Sequence, residues 1–260
     1  MTPGVVFSFR STIPTGKRIE QSSFVPKRGL RESGGVVFHV LNRGVRRMTV
    51  FEDAPAYRSF MRALQEGQDR TSIRLLAYCV MPNHFHLVVW PARDGQMVEF
   101  MRWFQMVHSK RWHQYRQTEG AGALYQGRYK AFPVQDGRHF LTVCRYVERN
   151  PLRAGLVSRA EDWPWSSLQQ RCKNCDGPSL ATWPIPTPSD WTAIVNASEP
   201  QTDLDALRSS VMSGLAYGSK SWAEDMRARG LAPQPREGRP AKGRPLRGQA
   251  RPTQPDLRFA

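Results

Sequence analysis

Met81-Pro82-Asn83-His84-Phe85-His86-Leu87-Val88-Val89-Trp90 is the stretch around which this chain is organised. A Pro-Asn turn leads directly into a run of strand formers. Side chains alternate faces along a strand, so His84 and His86 point one way while Phe85 goes to the core. Two imidazoles one pleat apart can serve as a bidentate arm for a metal ion. The same spacing also describes two half-buried strand histidines. The decision rests on whether the rest of the chain supplies a further ligand and a task.

Working outward, Ile73 to Val80 is apolar almost throughout, which predicts a central strand paired as a hairpin with His84–Trp90. Upstream, Val36–Leu41 reads as a strand that ends at the turn Asn42-Arg43-Gly44. Asp53-Ala54-Pro55 opens a helix, with Asp at the N-cap and Pro inside the first turn. Tyr57, Phe60, Met61 and Leu64 follow at helical spacing, and the helix is expected to stop near Gly67. Gln96–Arg116 reads as a long helix with an aromatic-rich apolar stripe and a basic face that includes Lys110 and Arg111. After a Gly-rich loop, Leu124–Val134 interleaves aromatic and basic residues in a turn and a short strand. Gly137–Asn150 is a further helix, because Pro151 disfavours helical geometry in the residue before it. Trp163-Pro164-Trp165-Ser166-Ser167 starts another short helix.

This order predicts an α+β fold: a small antiparallel sheet of split-βαβ (ferredoxin- or RRM-like) topology, with helices on one face and the other face free to carry a site. The expected divisions are a basic flexible arm (1–34), the catalytic-type domain (35–170), a Pro-rich linker or irregular wrap (171–201), a small helical extension (202–230) and a basic disordered tail (231–260).

With 38 Lys and Arg against 22 Asp and Glu, the formal charge is +16 and the pI near 10.4. That balance points to a polyanion, nucleic acid first. No apolar run reaches the length of a membrane span, and the N-terminus lacks the basic start and apolar segment of a secretory signal. Cys79, Cys144, Cys172 and Cys175 do not make a disulfide framework in a chain of this length. Cys172 and Cys175 read as a zinc knuckle or as two free thiols, the thiols being the plainer reading. A reducing, cytoplasmic setting is expected, nucleoid-associated when the protein is on DNA. In the tail, Gly238-Arg239-Pro240 and Gly243-Arg244-Pro245 resemble the AT-hook core, and Arg239 and Arg244 are expected on DNA phosphates.

The further ligand and the task come from Arg145-Tyr146-Val147-Glu148-Arg149-Asn150-Pro151. Tyr146 and Asn150 are four apart and share one helical face. His84, His86 and Asn150 can cap one side of a cation, with Tyr146 presenting its phenol beside a bound phosphate oxygen. A phenol is a poor nucleophile until a nearby cation favours the phenolate. Without the histidines, the same spacing describes a core tyrosine and a helix-end asparagine.

Taken together, Met81–Val88 and Tyr146–Val157 resemble the single-tyrosine HUH transposases, the IS200-like enzymes, and in particular their REP-associated branch. His39–Gly44, Tyr125–Lys130 and Trp163–Ser167 support the resemblance, which covers roughly residues 35–170 in the family's order. The resemblance implies that His84 and His86 are the metal-binding pair, that Tyr146 is the nucleophile and that Asn150 is a third polar ligand. It implies Mg²⁺ or Mn²⁺ and cleavage of single-stranded DNA at the foot of a hairpin, leaving a 5′-phosphotyrosine link and a free 3′-OH. It also implies a monomer or a homodimer. Arg43, Arg111, Arg128 and Lys130 are the expected DNA contacts within the domain. A non-catalytic, domesticated protein that binds DNA hairpins is the alternative.

Overall fold

The computed structural model describes residues 33–234. The arm expected over 1–34 and the tail over 231–260 fall almost wholly outside that range, as do Arg239 and Arg244.

The elements run β1 (Val37–Arg43), α1 (Ala54–Thr71), β2 (Arg74–Met81), β3 (His84–Trp90), α2 (Gln96–Arg116), β4 (Lys130–Val134), α3 (Arg138–Glu148), α4 (Asn150–Arg153), α5 (Ser167–Lys173), α6 (Trp191–Asn196), α7 (Gln201–Ser213) and α8 (Lys220–Ala228). The four strands form one sheet in the order β2-β3-β1-β4, every pair antiparallel. This is the split-βαβ arrangement expected from the sequence, within the α+β class. The strand β1 runs through Asn42 and Arg43 instead of turning there, because Asn42 pairs with Phe85 and Arg43 with His84.

The crossover helices α1 and α2 cover one face. Phe38, Val40, Phe85 and Leu87 from the sheet pack there with Phe60 and Phe104, each fully buried side chain contributing about 1.5–3 kcal/mol. Asp53 caps α1 by accepting from the Ala56 amide at 2.9 Å. The helix does not stop at Gly67. A Cβ there would lie 2.8 Å from the Phe100 ring, so glycine serves the close approach of α1 to α2. The end comes at Ser72, in the left-handed region (φ 56°), whose amide bonds the Gln68 carbonyl.

The opposite face is not free. Leu41, Met81 and Val88 meet Phe140, Val143 and Val147 of α3, so a second core lies there and α3 roofs the face that carries the histidines. The helix α3 ends at Glu148, next to the Asn150 boundary expected from Pro151. A short turn, α4, starts at Asn150 and holds Pro151 in its first turn, where the missing N–H costs nothing.

The strand β2 is an edge, not the central strand its apolar composition suggested. Its burial comes from the chain that wraps it. Val80 N donates to Trp165 O at 2.9 Å and Ala181 N to Leu75 O at 2.8 Å. The indole of Trp163 bonds Val80 O at 2.9 Å, and that of Trp183 bonds Leu76 O at 2.8 Å. The stretch 171–201, expected as a linker or an irregular wrap without packed elements, is a wrap that does pack: Trp183 and Trp191 are buried, and α6 lies within it. Tyr217 closes the other edge by exchanging backbone bonds with Pro133 and Gln135. Both edges are thus withdrawn from pairing with other chains. Among the described residues, no helix is long and apolar enough to cross a membrane.

Candidate active site

The hairpin places both histidines where their alternation predicted, on the face under α3. His84 and His86 have ring centroids 5.0 Å apart and are buried. Their electronic state follows from burial. Desolvation first, then the charges of Arg43 and Arg153, pushes His84 down to about 3. The same causes, with His39 and His84 added, hold His86 well below the usual histidine range. Both rings are therefore neutral near pH 7, as metal-binding imidazoles must be. The Nδ1 of His84 lies 2.6 Å from Asn83 Oδ1. A carbonyl oxygen only accepts, so Nδ1 carries the proton and the lone pair of His84 is on Nε2.

Tyr146 faces this pair from α3, its ring centroid 5.8 Å from that of His86. It is fully buried, and its hydroxyl has no hydrogen-bond partner among the described residues. Burial raises its pKa, while the charges of Arg153 and Arg208 act the other way. Arg153 lies over the phenol ring, its guanidinium carbon 4.3 Å from the centroid. It also donates to the Tyr146 carbonyl at 2.8 Å and to Glu199 at 2.7 Å.

Asn150 sits one turn on from Tyr146. Its amide nitrogen donates to the Tyr146 carbonyl at 3.0 Å, while its Oδ1 is buried with no partner among the described residues. The side chain thus serves the helix with one end and offers an oxygen with the other. Among the described residues, no cluster of three or more His, Cys, Asp or Glu is placed to hold a metal. The available donor set is two imidazoles and an amide oxygen. With Nε2 of His86 and Oδ1 of Asn150 both buried and unpartnered there, the set is chemically suited to a divalent cation.

A cleft of about 410 Å³ opens beside His84, lined by Arg43, Arg47, Gln126, Arg128 and Lys130. The Lys130 ammonium is pushed down by partial desolvation and by the charge of Arg43. The cleft therefore gathers four cations with no acid among its lining residues, the signature of a place for an anion. Arg43, Arg128 and Lys130 are brought together as the sequence suggested. Arg111 is not: it lies on α2, across the sheet, and is ion-paired with Glu66 at 2.8 Å.

Sequence reasoning missed three residues. Arg47 reaches the cleft from a loop in which it and Arg46 both take positive φ (64° and 51°), a strained conformation for arginine that nothing in the sequence foretells. His39 donates to or accepts from His86 Nδ1 at 2.9 Å. Strand alternation could have found it, since it shares a face with Leu41 and Arg43. Arg153 was visible only as part of a motif, without a role.

Residues 33–150 match the family model described as "Transposase IS200 like". The REP-associated tyrosine transposase of Escherichia coli (strain K12) is 22% identical over 137 residues, covering 53% of this chain and 78% of the relative. A protein of Haemophilus influenzae that carries the same name provisionally is 21% identical over 122 residues, 44% of this chain and 69% of its own length. A solved structure of a REP-associated tyrosine transposase bound to a REP hairpin overlaps 56% of this chain and 84% of that one, at 20% identity and a TM-score of 0.47. The resemblance read from Met81–Val88 and Tyr146 is thus met again in these matches, and residues 33–150 of this chain are similar to the IS200-like transposase domain.

Proposed function

We propose that this protein is a metal-dependent, single-stranded DNA endonuclease and strand transferase that cuts near hairpins through a covalent 5′-phosphotyrosine on Tyr146. One observation carries the reading. The Nε2 of His86, the hydroxyl of Tyr146 and the Oδ1 of Asn150 are buried polar atoms on neighbouring side chains, all without partners among the described residues. Buried polar atoms are nearly always bonded, so orphans on Tyr146, on His86 with its ring 5.8 Å away, and on Asn150 one helical turn along support a missing ligand. The family of the domain and the name of its curated relatives point the same way.

In this reading His84, His86 and Asn150 hold Mg²⁺ or Mn²⁺, and the nitrogen-rich set suits Mn²⁺ better. The cation, when bound, supplies Lewis-acid polarisation of a phosphate oxygen. The cationic cleft of Arg43, Arg47, Arg128 and Lys130 holds the backbone of the DNA strand next to His84. Tyr146 Oη forms a bond to phosphorus as the P–O3′ bond breaks. The proton lost by the phenol is balanced by the one the 3′ oxygen gains. Rejoining is the same step reversed, with the bond energy kept in the phosphotyrosine. Arg239 and Arg244 of the basic tail add phosphate contacts, and Arg111 belongs to the fold. The protein acts in the cytoplasm, on the nucleoid, as a monomer or a homodimer.

The complete burial of Tyr146 favours a second reading, a hairpin-binding protein that has lost catalysis. The two separate in one assay. End-labelled hairpin-bearing single strands are incubated with protein and Mn²⁺ and resolved on a denaturing gel. A covalent adduct absent from Tyr146→Phe supports catalysis. Tight binding of hairpins with varied feet, with no adduct on any of them, sinks the enzyme reading and leaves the binding protein.

A further inference from the structure

We infer that His39 is a positioning residue: it accepts the Nδ1 proton of His86 and so fixes the tautomer that turns the His86 lone pair, on Nε2, toward the site. The inference deepens the proposed function and rests, for its metal arm, on His86 being a ligand. His39 is wholly buried in β1, with Nε2 2.9 Å from His86 Nδ1. Its ring stacks on His86 at 5.0 Å and meets Phe132 edge-on at 4.9 Å, so neither imidazole can swing away.

One proton sits between the two rings, and two arrangements are open. If His39 donates, neutral His86 must carry its own proton on Nε2 and offers only an N–H to the site. If His86 donates, its Nε2 keeps a lone pair and the other proton goes to His39 Nδ1, away from the pair. The surroundings choose between them. The buried Nε2 of His86 has no partner among the described residues, and beside His86, at 5.8 Å between ring centroids, lies Tyr146, which carries the Arg153 guanidinium on its face. Positive charge beside a ring nitrogen favours a lone pair there over an N–H. His84 supplies a parallel within the same site, since Asn83 Oδ1 already holds it in the Nδ1–H form. Each histidine of the hairpin thus has its own acceptor behind it, one an amide and one an imidazole. Such outer partners orient ligating histidines generally.

The test begins without metal. Long-range ¹⁵N–¹H correlation spectra of the full chain labelled in histidine, assigned with single His→Gln variants, read each tautomer at pH 7.5. The Nδ1–H form is expected for His86, and an Nε2–H form overturns the inference. Mn²⁺ titration followed by electron paramagnetic resonance is the second arm. His39→Phe keeps the ring but not the acceptor and should weaken Mn²⁺ binding about 10–100-fold. His39→Gln, whose carbonyl can still accept, should stay within a few-fold of wild type, with the thermal midpoint as the check on folding. Mn²⁺ affinity unchanged in a folded His39→Phe overturns the inference. Failure of wild type to bind Mn²⁺ in a His84-dependent way sinks the metal reading instead, and the tautomer spectrum then decides the role of His39 by itself.

Discussion

Arg153 lies flat over Tyr146, its guanidinium carbon 4.3 Å from the ring centroid, and is itself anchored by Glu199 at 2.7 Å. The phenol is thereby held by a cation on its face and by its own backbone carbonyl, which the same arginine bonds at 2.8 Å. A largely desolvated cation–π contact is worth about 2 kcal/mol. Losing it should slow a step that needs the ring in place by roughly 10–30-fold. Arg153→Ala should therefore reduce the single-turnover rate of adduct formation by that factor, with hairpin affinity changed less than about twofold. Equal losses in binding and rate would assign Arg153 to the DNA instead.

Tyr146→Phe should stabilise the protein while abolishing the adduct. The hydroxyl is buried without a partner among the described residues, and such a group costs about 1–3 kcal/mol. Urea denaturation of the metal-free protein should show a gain of about 1 kcal/mol. A loss of that size would mean that the hydroxyl is bonded after all.

The buried carboxylate of Glu148 is the main tie between α3 and the wrap. It accepts from Ser167 at 2.5 Å, from Arg171 at 2.5 Å and from the Trp191 indole at 2.7 Å. Glu148→Ala leaves a half-buried arginine without its partner and should cost about 3–5 kcal/mol. Chemical denaturation of the variant checks this, and a change below about 1 kcal/mol would show the network to be dispensable.

Stability should decline in mild acid. His39, His84 and His108 are each held at about 3 by burial, and His86 is also lowered. Unfolded histidine titrates near 6.5, so below that pH the unfolded chain binds protons that the folded chain refuses. The contribution of these groups is fully present above about pH 6.5 and is lost as pH falls from there toward 3. Each histidine contributes up to about 1.4 kcal/mol per pH unit in that window. Urea midpoints of the metal-free protein at pH 7.5 and 5.5 should differ clearly, and His108→Gln should shrink the difference. A flat profile would place charged histidines in the folded state.

Removing residues 235–260 takes away seven Lys and Arg against two acids. The cut spares Leu231 and Ala232, which pack with Met226. Affinity for single-stranded DNA should fall, and its log–log salt slope should flatten by about 0.7 for each phosphate that the tail no longer neutralises. The covalent step should survive, and identical slopes would exclude the tail from DNA binding.

The alternation His84-Phe85-His86 and the helical spacing of Tyr146 and Asn150 were legible because each is a local pattern with one periodicity. The βαββαβ order followed from the same patterns. The status of β2 was not legible. An edge strand and a central strand look alike once an edge is wrapped, and the wrap comes from Trp163 to Trp183, far along the chain. Prolines at 178, 184, 186 and 188 suggested a linker, whereas Trp183 and Trp191 among them were the sign of packing. Arg111 illustrates the limit from the other side. A basic helical face says nothing of which acid on a neighbouring helix has already claimed it.

The central place of β1 has a consequence for how the protein is made. β1 is synthesised before the other strands, yet it lies between β3 and β4, so Val40 pairs with Leu87 on one side and must wait for Ala131 on the other. At about 5–20 residues per second, that wait on the ribosome is roughly 5–18 s. Throughout it the edge that β4 will cover stands open, next to the strand that carries both histidines. Until Lys130–Val134 emerges the nascent chain therefore carries an open strand edge in the middle of the future sheet, and the last strand to arrive completes that sheet.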